Sequence, residues 1–186
     1  MFHVAPAPRA PCYGASTVTP TLPYKIAVLC DLRDSAGRVL LIHRAKDPNK
    51  GLYSPIGGKL ETSIGESPAQ CAHREIQEEA GIDIPIDRLR LVGMISEKAY
   101  EGQTHWLLFV YQAMEPVDVP EKVFSEGSLH WHTLDELPTL PQPETDRRIL
   151  WPLLFEHESG FFAVHIDCTG DEMTWTVETS FVVGAG

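Results

Sequence analysis

The sequence predicts an α/β (α+β) protein, specifically an α/β/α sandwich built on a mixed β-sheet. Several short runs rich in Val, Ile and Leu are bounded by turn residues, which is typical of strands. Two other segments have helical spacing: one follows Ser67, and the other places Ile149, Leu153 and Leu154 on one face. Several strands with two separated helices imply that the sheet packs between the helices.

The strands are expected to follow the chain mostly as hairpins. The first two are expected to pair with each other around the turn at 33–37, because that segment contains Asp, Ser and Gly. The predicted strands cover residues 24–32, 38–45, 52–61, 88–100, 104–114, 128–134 and 160–179, the last range folding back on itself at 169–172.

Composition divides the 186 residues into three parts. Residues 1–23 are crowded with Pro, Ala and Thr and are interpreted as a leader, and residues 181–186 as a short tail. Residues 24–180 are expected to form one domain, since 43% hydrophobic residues is enough to bury a core.

The charge of the chain restricts its partners. The net charge is −11 and the fifteen basic residues form no run, which argues against a nucleic-acid polymer as partner. Small anionic substrates remain compatible if metal ions bridge the repulsion. The four cysteines are far apart and no apolar run reaches membrane-spanning length, so we expect a cytoplasmic protein without a membrane partner, either monomer or homodimer.

The central helix has clear start and stop signals. Ser67 is a good N-cap and Pro68 suits the first helical position, while Gln70 completes a capping box. Gly81 suits a left-handed C-terminal position after Ala80. A helix over about 68–80 is therefore predicted. Its small apolar stripe is expected to face the core and consists of Ala69, Ala72, Ile76 and Ala80.

The other side of this helix concentrates negative charge. Glu75, Glu78 and Glu79 are spaced i, i+3 and i+4, which puts their carboxylates on one patch. An acidic face of a helix is usually just solvated, but a glycine-containing loop precedes this one and Arg74 can orient a neighbouring carboxylate. Carboxylates without His or Cys suit hard cations, so the pattern predicts a site for Mg²⁺, with Mn²⁺ as an alternative.

The stretch from Gly58 to Ile82 resembles the Nudix box, G-x5-E-x7-R-E-u-x-E-E-x-G-u, where u is aliphatic. Glu66, the seven residues after it and "REIQEEAGI" fit without exception. Seven residues instead of five separate Gly58 from Glu66, as though two had been inserted in the loop. The insertion is expected to reshape the rim of the loop and to leave the glutamates in place.

The resemblance to Nudix hydrolases implies roles for individual residues. Glu75, Glu78 and Glu79 would be metal ligands, one of them also taking a proton from the attacking water, and the carbonyl of Gly57 would be a further ligand. Glu66 and Arg74 would brace the loop and helix. The resemblance also suggests an acid outside the box, for which Glu126 is the candidate, although an exposed loop glutamate is an equal alternative. Lys59 would either contact a phosphate or be solvated.

Beyond the box, the chain from Tyr24 to about Thr179 is similar to the MutT-type oxidised-purine nucleoside triphosphatases. That similarity places Asp146 at an acidic position that meets the purine, but Glu144 and Arg147 stand where the subgroup has Trp and a second acid. Tyr53 would supply an aromatic wall or belong to the core. Trp106 and Trp131 are assigned to packing.

The expected activity is Mg²⁺-dependent hydrolysis of a diphosphate linkage in a nucleoside diphosphate derivative, above all a nucleoside triphosphate, oxidised or not, split into monophosphate and pyrophosphate. ADP-ribose and diadenosine polyphosphates are alternative substrates, and Tyr100 is a single-residue match to hydrolases of the latter. A nucleotide-sensing domain without turnover and an isomerase using Cys71 are alternatives of other classes.

Overall fold

The computed structural model describes residues 21–182, so most of the predicted leader and tail lies outside the described residues. The strands are β1 (Tyr24–Asp31), β2 (Val39–Arg44), β3 (Tyr53–Pro55), β4 (Leu89–Tyr100), β5 (Thr104–Ala113), β6 (Val123–Phe124), β7 (Gly127–His132), β8 (Phe161–Asp167) and β9 (Thr174–Phe181). The α-helices are α1 (Pro68–Glu75) and α2 (Trp151–Glu156). A π-helical turn, Ile76–Ala80, continues α1, and another, Asp146–Leu150, precedes α2. Within this part of the chain, no helix is long and apolar enough to cross a membrane.

The strands form two sheets. The larger sheet has the order β1-β5-β4-β8-β9 and is mixed, since β1 with β5 and β4 with β8 are parallel whereas the other neighbours are antiparallel. The smaller sheet has the order β3-β2-β7-β6 and is antiparallel. The structure confirms the predicted mixed α/β architecture, the β4–β5 pair and the closing β8–β9 hairpin. The second sheet was not predicted.

The predicted hairpin of the first two strands is wrong. The chain turns as expected after β1, but beyond one bridge between Arg33 and Val39 the two strands pair in different sheets. The physical reason is that β2 is apolar on both faces, with Val39 to Ile42 all at 0% exposure. Such a run is stable only when both faces are covered. The strand accordingly lies between two hydrophobic clusters.

Each helix packs into one of these clusters. The first cluster contains Leu40 and Ile42 of β2 together with Ala72 and Ile76, which confirms the predicted apolar stripe. The second contains the other face of β2 and the residues predicted to form one face of the last helix, namely Ile149, Leu153 and Leu154. Both helices are therefore held by burial of their apolar faces, and the acidic side of α1 is left pointing away from the first cluster.

An irregular strand end brings a distant loop beside β4. The pairing of β4 with β5 shifts register between Glu97 and Tyr100, and Ala99 has a φ of 56°. The Tyr100 hydroxyl donates to Oδ1 of Asn49 at 2.7 Å, and Asn49 itself has a φ of 64°. Left-handed backbone at non-glycine residues is uncommon and concentrates at functional sites. This contact fixes the loop between β2 and β3 against the end of β4.

Candidate functional site

A cavity of about 570 Å³ opens beside α1, a volume in the range of nucleotide-sized ligand sites. The acidic side chains in its wall are Asp47, Glu75, Glu78, Glu79, Glu97, Glu126 and Asp146. The basic side chains in its wall are Arg44, Lys46 and Lys59. The excess of carboxylates means that an anionic ligand is repelled there unless cations accompany it.

The start of α1 is fixed as the sequence predicts. Oγ of Ser67 accepts from the N–H of Gln70 at 3.3 Å, and the Gln70 side chain accepts from the N–H of Ser67 at 2.9 Å. The end differs: the last turn is π-helical, from Ile76 to Ala80, before Gly81 closes it with a φ of 77°. Glu78 and Glu79 lie in this wider turn, a feature that often marks functional sites in helices.

Arg74 connects the loop to the helix. Its Nε and Nη2 donate to the two oxygens of Glu66 at 2.8 and 3.0 Å, while Nη1 donates to Glu75 at 2.7 Å and to Glu78 at 3.3 Å. Nη2 also donates to the carbonyl of Lys59 at 3.2 Å. The two bonds from Arg74 to Glu66, together with one from the N–H of Glu61, lower the pKa of Glu66 to about 2. One guanidinium thus fixes three carboxylates and the glycine loop.

The extra residues of the loop form a short turn away from the helix. Thr62–Ile64 is a single 3-10 turn whose side chains are exposed, and Ile64 is 73% exposed. The turn ends at Gly65 with a φ of 71°. Directly after this turn, Glu66 is bonded to Arg74 and the chain is again held against the helix. The turn at Thr62–Ile64 therefore projects from the rim of the loop.

Glu79 is the most buried carboxylate of α1 and its π-helical extension. It is 4% exposed and accepts from the N–H of Gly57 at 2.9 Å. Burial raises the pKa of Glu79 to about 7 against the effect of that bond, with the charges of Glu75 and Glu126 adding to the rise. Burial likewise raises the pKa of Glu75 above its ordinary value. Both carboxylates therefore lie where a positive charge would be stabilising.

The glycine loop lies close to these carboxylates. A Cβ on Gly58 would come within 2.1 Å of Oε1 of Glu75, so a side chain there would displace the carboxylate. In the described part of the chain the carbonyl of Gly57 accepts no hydrogen bond, whereas the carbonyls before and after it both accept from β1 at 2.9 Å. An unused carbonyl next to carboxylates is the type of oxygen ligand that hard cations take.

These residues fit a hard divalent cation by donor type. Glu75 and Glu78 are turned toward Arg74, and among residues 21–182 no three His, Cys, Asp or Glu side chains converge on one point. All three glutamates of this region nevertheless line the same cavity as Gly57.

Glu126, predicted from outside the box, lies close to the carboxylates of α1. It lines the cavity, and its negative charge contributes to the raised pKa of both Glu75 and Glu79. Its carbonyl accepts from the N–H of Ala45 at 2.8 Å, and its carboxylate lies 3.9 Å from Nζ of Lys46. The loop before β7 and the loop after β2 therefore meet at this side of the cavity.

The other predicted residues divide into two groups. Lys59 and Asp146 line the cavity. Tyr53 does not, whereas the next two residues of β3, Ser54 and Pro55, do. The Tyr53 ring packs between His43 and His132, with ring centroids 4.7 and 4.9 Å apart, which corrects the proposal of an aromatic wall at this position.

The two tryptophans assigned to packing differ from each other. Trp131 is a packing residue, since its Nε1 donates to the carbonyl of Val119 at 2.9 Å and Arg38 covers its ring. Trp106 is 8% exposed, in agreement with its assignment to packing, and it also lines the cavity.

Several cavity residues have no counterpart in the sequence prediction. They are Arg44, Lys46, Asn49 and Glu97, and Tyr100, named in the sequence prediction as a single-residue match, lines the cavity as well. Glu97 had a usable signal: it is two residues after the apolar Ile95 in a strand, so alternation places it on the same buried face. Arg44 and Lys46 had none, because the loop after β2 meets the cavity only through tertiary contacts.

The fold and site together define an α/β domain that presents helix carboxylates and a glycine loop to a nucleotide-sized cavity. The chain belongs to the NUDIX domain family, whose model matches residues 23–152. Members of this family are pyrophosphohydrolases and generally use divalent metal cations. The family predicted from the box is confirmed.

Named relatives and a solved structure agree with this assignment. The chain is 30% identical to the uncharacterized Nudix hydrolase YvcI of Bacillus subtilis over 116 residues, covering 61% of this chain and 69% of YvcI. It is 30% identical to the oxidized purine nucleoside triphosphate hydrolase of Danio rerio over 130 residues, covering 68% of this chain and 78% of that protein. The MutT protein of Bacillus halodurans superposes with a TM-score of 0.66 at 27% identity, covering 83% of this chain and 97% of that one.

A further relative is considerably longer than the matched region. The NAD-capped RNA hydrolase NudC of Stutzerimonas stutzeri is 29% identical over 135 residues, which cover 67% of this chain but only 42% of NudC. The match is therefore confined to less than half of that protein.

Proposed function

We propose that this protein is a magnesium-dependent pyrophosphohydrolase that splits a diphosphate linkage in a nucleoside diphosphate derivative, mainly a nucleoside triphosphate to monophosphate and pyrophosphate. The observation that carries the proposal is the placement of Glu75, Glu78 and Glu79 with the unused Gly57 carbonyl around one cavity. The relative from Danio rerio, whose name specifies an oxidized purine nucleoside triphosphate, supports the substrate class.

The metal would be held by Glu75, Glu78, Glu79, Glu126 and the Gly57 carbonyl. Magnesium, with manganese as a substitute, supplies positive charge and Lewis acidity when bound. One of the glutamates takes the proton of the attacking water. Arg74 and Glu66 act as positioning residues, because their bidentate bond fixes the loop relative to the helix.

The basic residues of the cavity complete the arrangement. Arg44, Lys46 and Lys59 line the same wall as the carboxylates, although the chain as a whole is acidic. Such cations contact phosphate oxygens directly and keep a diphosphate in place while one phosphorus is attacked. We assign Arg44, Lys46 and Lys59 to phosphate binding.

The isomerase alternative finds no support at Cys71. Burial raises the pKa of its thiol to about 12, and Sγ lies 3.7 Å from the Gly58 carbonyl as a hydrogen-bond donor. A thiol of this kind is a poor nucleophile or base at neutral pH.

A substrate panel with product analysis tests the proposal. Canonical and oxidised nucleoside triphosphates, ADP-ribose and diadenosine polyphosphates are incubated with Mg²⁺ and with chelator, using wild type, Glu78→Gln and Glu156→Gln. Glu156 is an exposed glutamate of α2 outside the cavity and is the matched control.

We expect Mg²⁺-dependent release of pyrophosphate from a nucleoside triphosphate, lost in Glu78→Gln and kept in Glu156→Gln. Turnover confined to ADP-ribose or a dinucleoside polyphosphate would support the hydrolase activity but show that the proposed nucleoside triphosphate substrate is wrong. Nucleotide binding with no turnover of any substrate would contradict the enzymatic proposal and favour the nucleotide-sensing domain.

A further inference from the structure

One hydrogen bond joins two distant parts of the cavity wall. The Tyr100 hydroxyl, at the end of β4, donates to Oδ1 of Asn49 at 2.7 Å, and both residues line the cavity. The two residues are 51 positions apart in the chain. The loop that contains Asn49, residues 45–52, also brings Lys46 and Pro48 to the same wall. The bond therefore ties a loop of the cavity wall to the larger sheet.

A bulge in β4 turns Tyr100 toward the cavity. Glu97 of β4 pairs with Trp106 of β5. Tyr100 pairs with Thr104, so three steps along β4 match two steps along β5. Without the extra residue, Tyr100 would lie on the opposite face of the sheet from Glu97, because side chains alternate along a strand. With it, both residues line the cavity. Bulges that re-aim one side chain are common next to active sites.

The backbone is left-handed on both sides of this bond. Among residues 21–182, the non-glycine residues with a positive φ are Asn49 at 64°, Ala99 at 56° and Glu101 at 51°. Asn49 is the acceptor of the bond, and the other two flank its donor. Such backbone is uncommon outside glycine, and it concentrates at functional sites, where the surrounding structure imposes it. The position of all three residues at one contact in the cavity wall indicates that this contact serves the site.

The loop orients the guanidinium of Arg44. Nε of Arg44 donates to the carbonyl of Pro48, the residue before Asn49, at 2.8 Å. The backbone of Arg44 closes the loop, because its carbonyl accepts from the N–H of Gly51 at 2.8 Å and its N–H donates to the carbonyl of Leu52 at 3.0 Å. A shift of the loop at Asn49 would therefore move the carbonyl that orients this guanidinium.

The outer nitrogens of Arg44 are available to a ligand. None of the ion pairs among residues 21–182 includes Arg44, and the bond from Nε to Pro48 is the one hydrogen bond of its side chain in this part of the protein. Arg44 lines the cavity, and its positive charge acts on Glu79. A guanidinium with two free nitrogens fits a pair of phosphate oxygens.

We propose that Tyr100 is a positioning residue for phosphate binding: through Asn49 and the loop, its hydroxyl holds the Arg44 guanidinium where it meets the diphosphate. Tyr100 acts through other residues and needs no contact with the phosphates. Burial raises the pKa of Tyr100, with the charge of Glu97 adding to the rise, so the hydroxyl keeps its proton and stays a donor at neutral pH. The inference rests on the proposed function, which assigns Arg44 to phosphate binding.

The test measures the Kd of pyrophosphate, the expected product, by calorimetry in the presence of Mg²⁺. The proteins are wild type, Tyr100→Phe, Asn49→Gly, Arg44→Ala and the double variant Tyr100→Phe/Arg44→Ala. Phe keeps the aromatic ring and Gly adopts left-handed backbone freely, so each single variant removes the hydrogen bond without imposing a new conformation. Tyr24→Phe is the matched control, because Tyr24 is 59% exposed and lies outside the cavity.

We expect Tyr100→Phe and Asn49→Gly each to raise the Kd roughly ten-fold, and Tyr24→Phe to bind like wild type. In the Arg44→Ala background, Tyr100→Phe should have no further effect, because the guanidinium that it positions is gone. A Tyr100→Phe effect of equal size with and without Arg44 overturns the proposal. An unchanged Kd in Tyr100→Phe, with only the Tm lowered, overturns it as well, since that is the result of a purely structural role.

The experiment separates this inference from the proposed function. Pyrophosphate binding is measured without a nucleotide substrate, so a protein that hydrolyses no nucleotide still reports whether Tyr100 and Arg44 act together. If wild type binds no pyrophosphate, the assignment of Arg44 to phosphate binding is wrong and the inference is overturned with it.

Discussion

Arg74 holds Glu66 through both carboxylate oxygens, Nε to Oε1 at 2.8 Å and Nη2 to Oε2 at 3.0 Å. The two residues lie on either side of the N-terminus of α1, so the pair closes the glycine loop onto the helix that carries the other glutamates. A bidentate pair fixes orientation as well as distance. The geometry of the site therefore depends on this bond.

Replacement of Glu66 by Gln is expected to destabilise the fold in a pH-dependent way. The bond to Arg74 lowers the pKa of Glu66 from 4.5 to about 2, so its contribution is present above pH 4.5 and is lost as the pH falls from about 4.5 to 2. At pH 7 the free energy of unfolding of Glu66→Gln should be about 2 kcal/mol below wild type. The difference should shrink toward pH 2, as measured by denaturant unfolding.

Glu61→Gln is the control for that series, because Glu61 is an exposed glutamate of the same loop. Its unfolding free energy should follow wild type throughout. A Glu66→Gln difference that stays constant from pH 7 to pH 2 would contradict the role given to the ionised pair.

Gly58→Ala is expected to lower activity while the protein stays folded. The new Cβ would lie 2.1 Å from Oε1 of Glu75, the end of a flexible side chain, so the carboxylate must move and the backbone need not. A displaced ligand of this kind costs about 100-fold in kcat/KM. Gly170→Ala, where the nearest atom is a backbone oxygen at 3.3 Å, is the control. Activity equal to the control would show that the placement of Glu75 is unimportant.

Magnesium is expected to stabilise the folded protein without any nucleotide present. At a concentration 100 times Kd the free energy of unfolding rises by about 2.7 kcal/mol, which thermal unfolding detects as a higher Tm. The gain should disappear in Glu75→Gln and persist in Glu156→Gln, each compared with its own metal-free form. If Mg²⁺ stabilises Glu75→Gln as much as it stabilises wild type, Glu75 does not bind the ion.

Local signals in the sequence predicted the parts of the site that one segment builds. The cap at Ser67, the stop at Gly81 and the spacing of Glu75, Glu78 and Glu79 all act within one helix, and the structure has them as predicted apart from the π-helical last turn. The resemblance to the Nudix box extended this to the family.

Features that depend on distant pairing were missed. The partner of β1 is β5, which begins at Thr104, and a local turn signal cannot indicate that pairing. The side of the sheet that Tyr53 faces depends on the register of a three-residue strand, which is too short to show alternation. Glu97 and Asp146 meet only after the sheet and the last helix have packed.

The most direct test of the central claim is the Mg²⁺-dependent rate of nucleoside triphosphate hydrolysis in wild type, Glu79→Gln and Glu156→Gln. Glu79 is the buried carboxylate beside the Gly57 N–H, and its replacement by the isosteric amide removes the charge with little change of shape. The account predicts a loss of roughly 100-fold or more in kcat/KM for Glu79→Gln and wild-type rates for Glu156→Gln. Full Mg²⁺-dependent activity in a folded Glu79→Gln protein would contradict it.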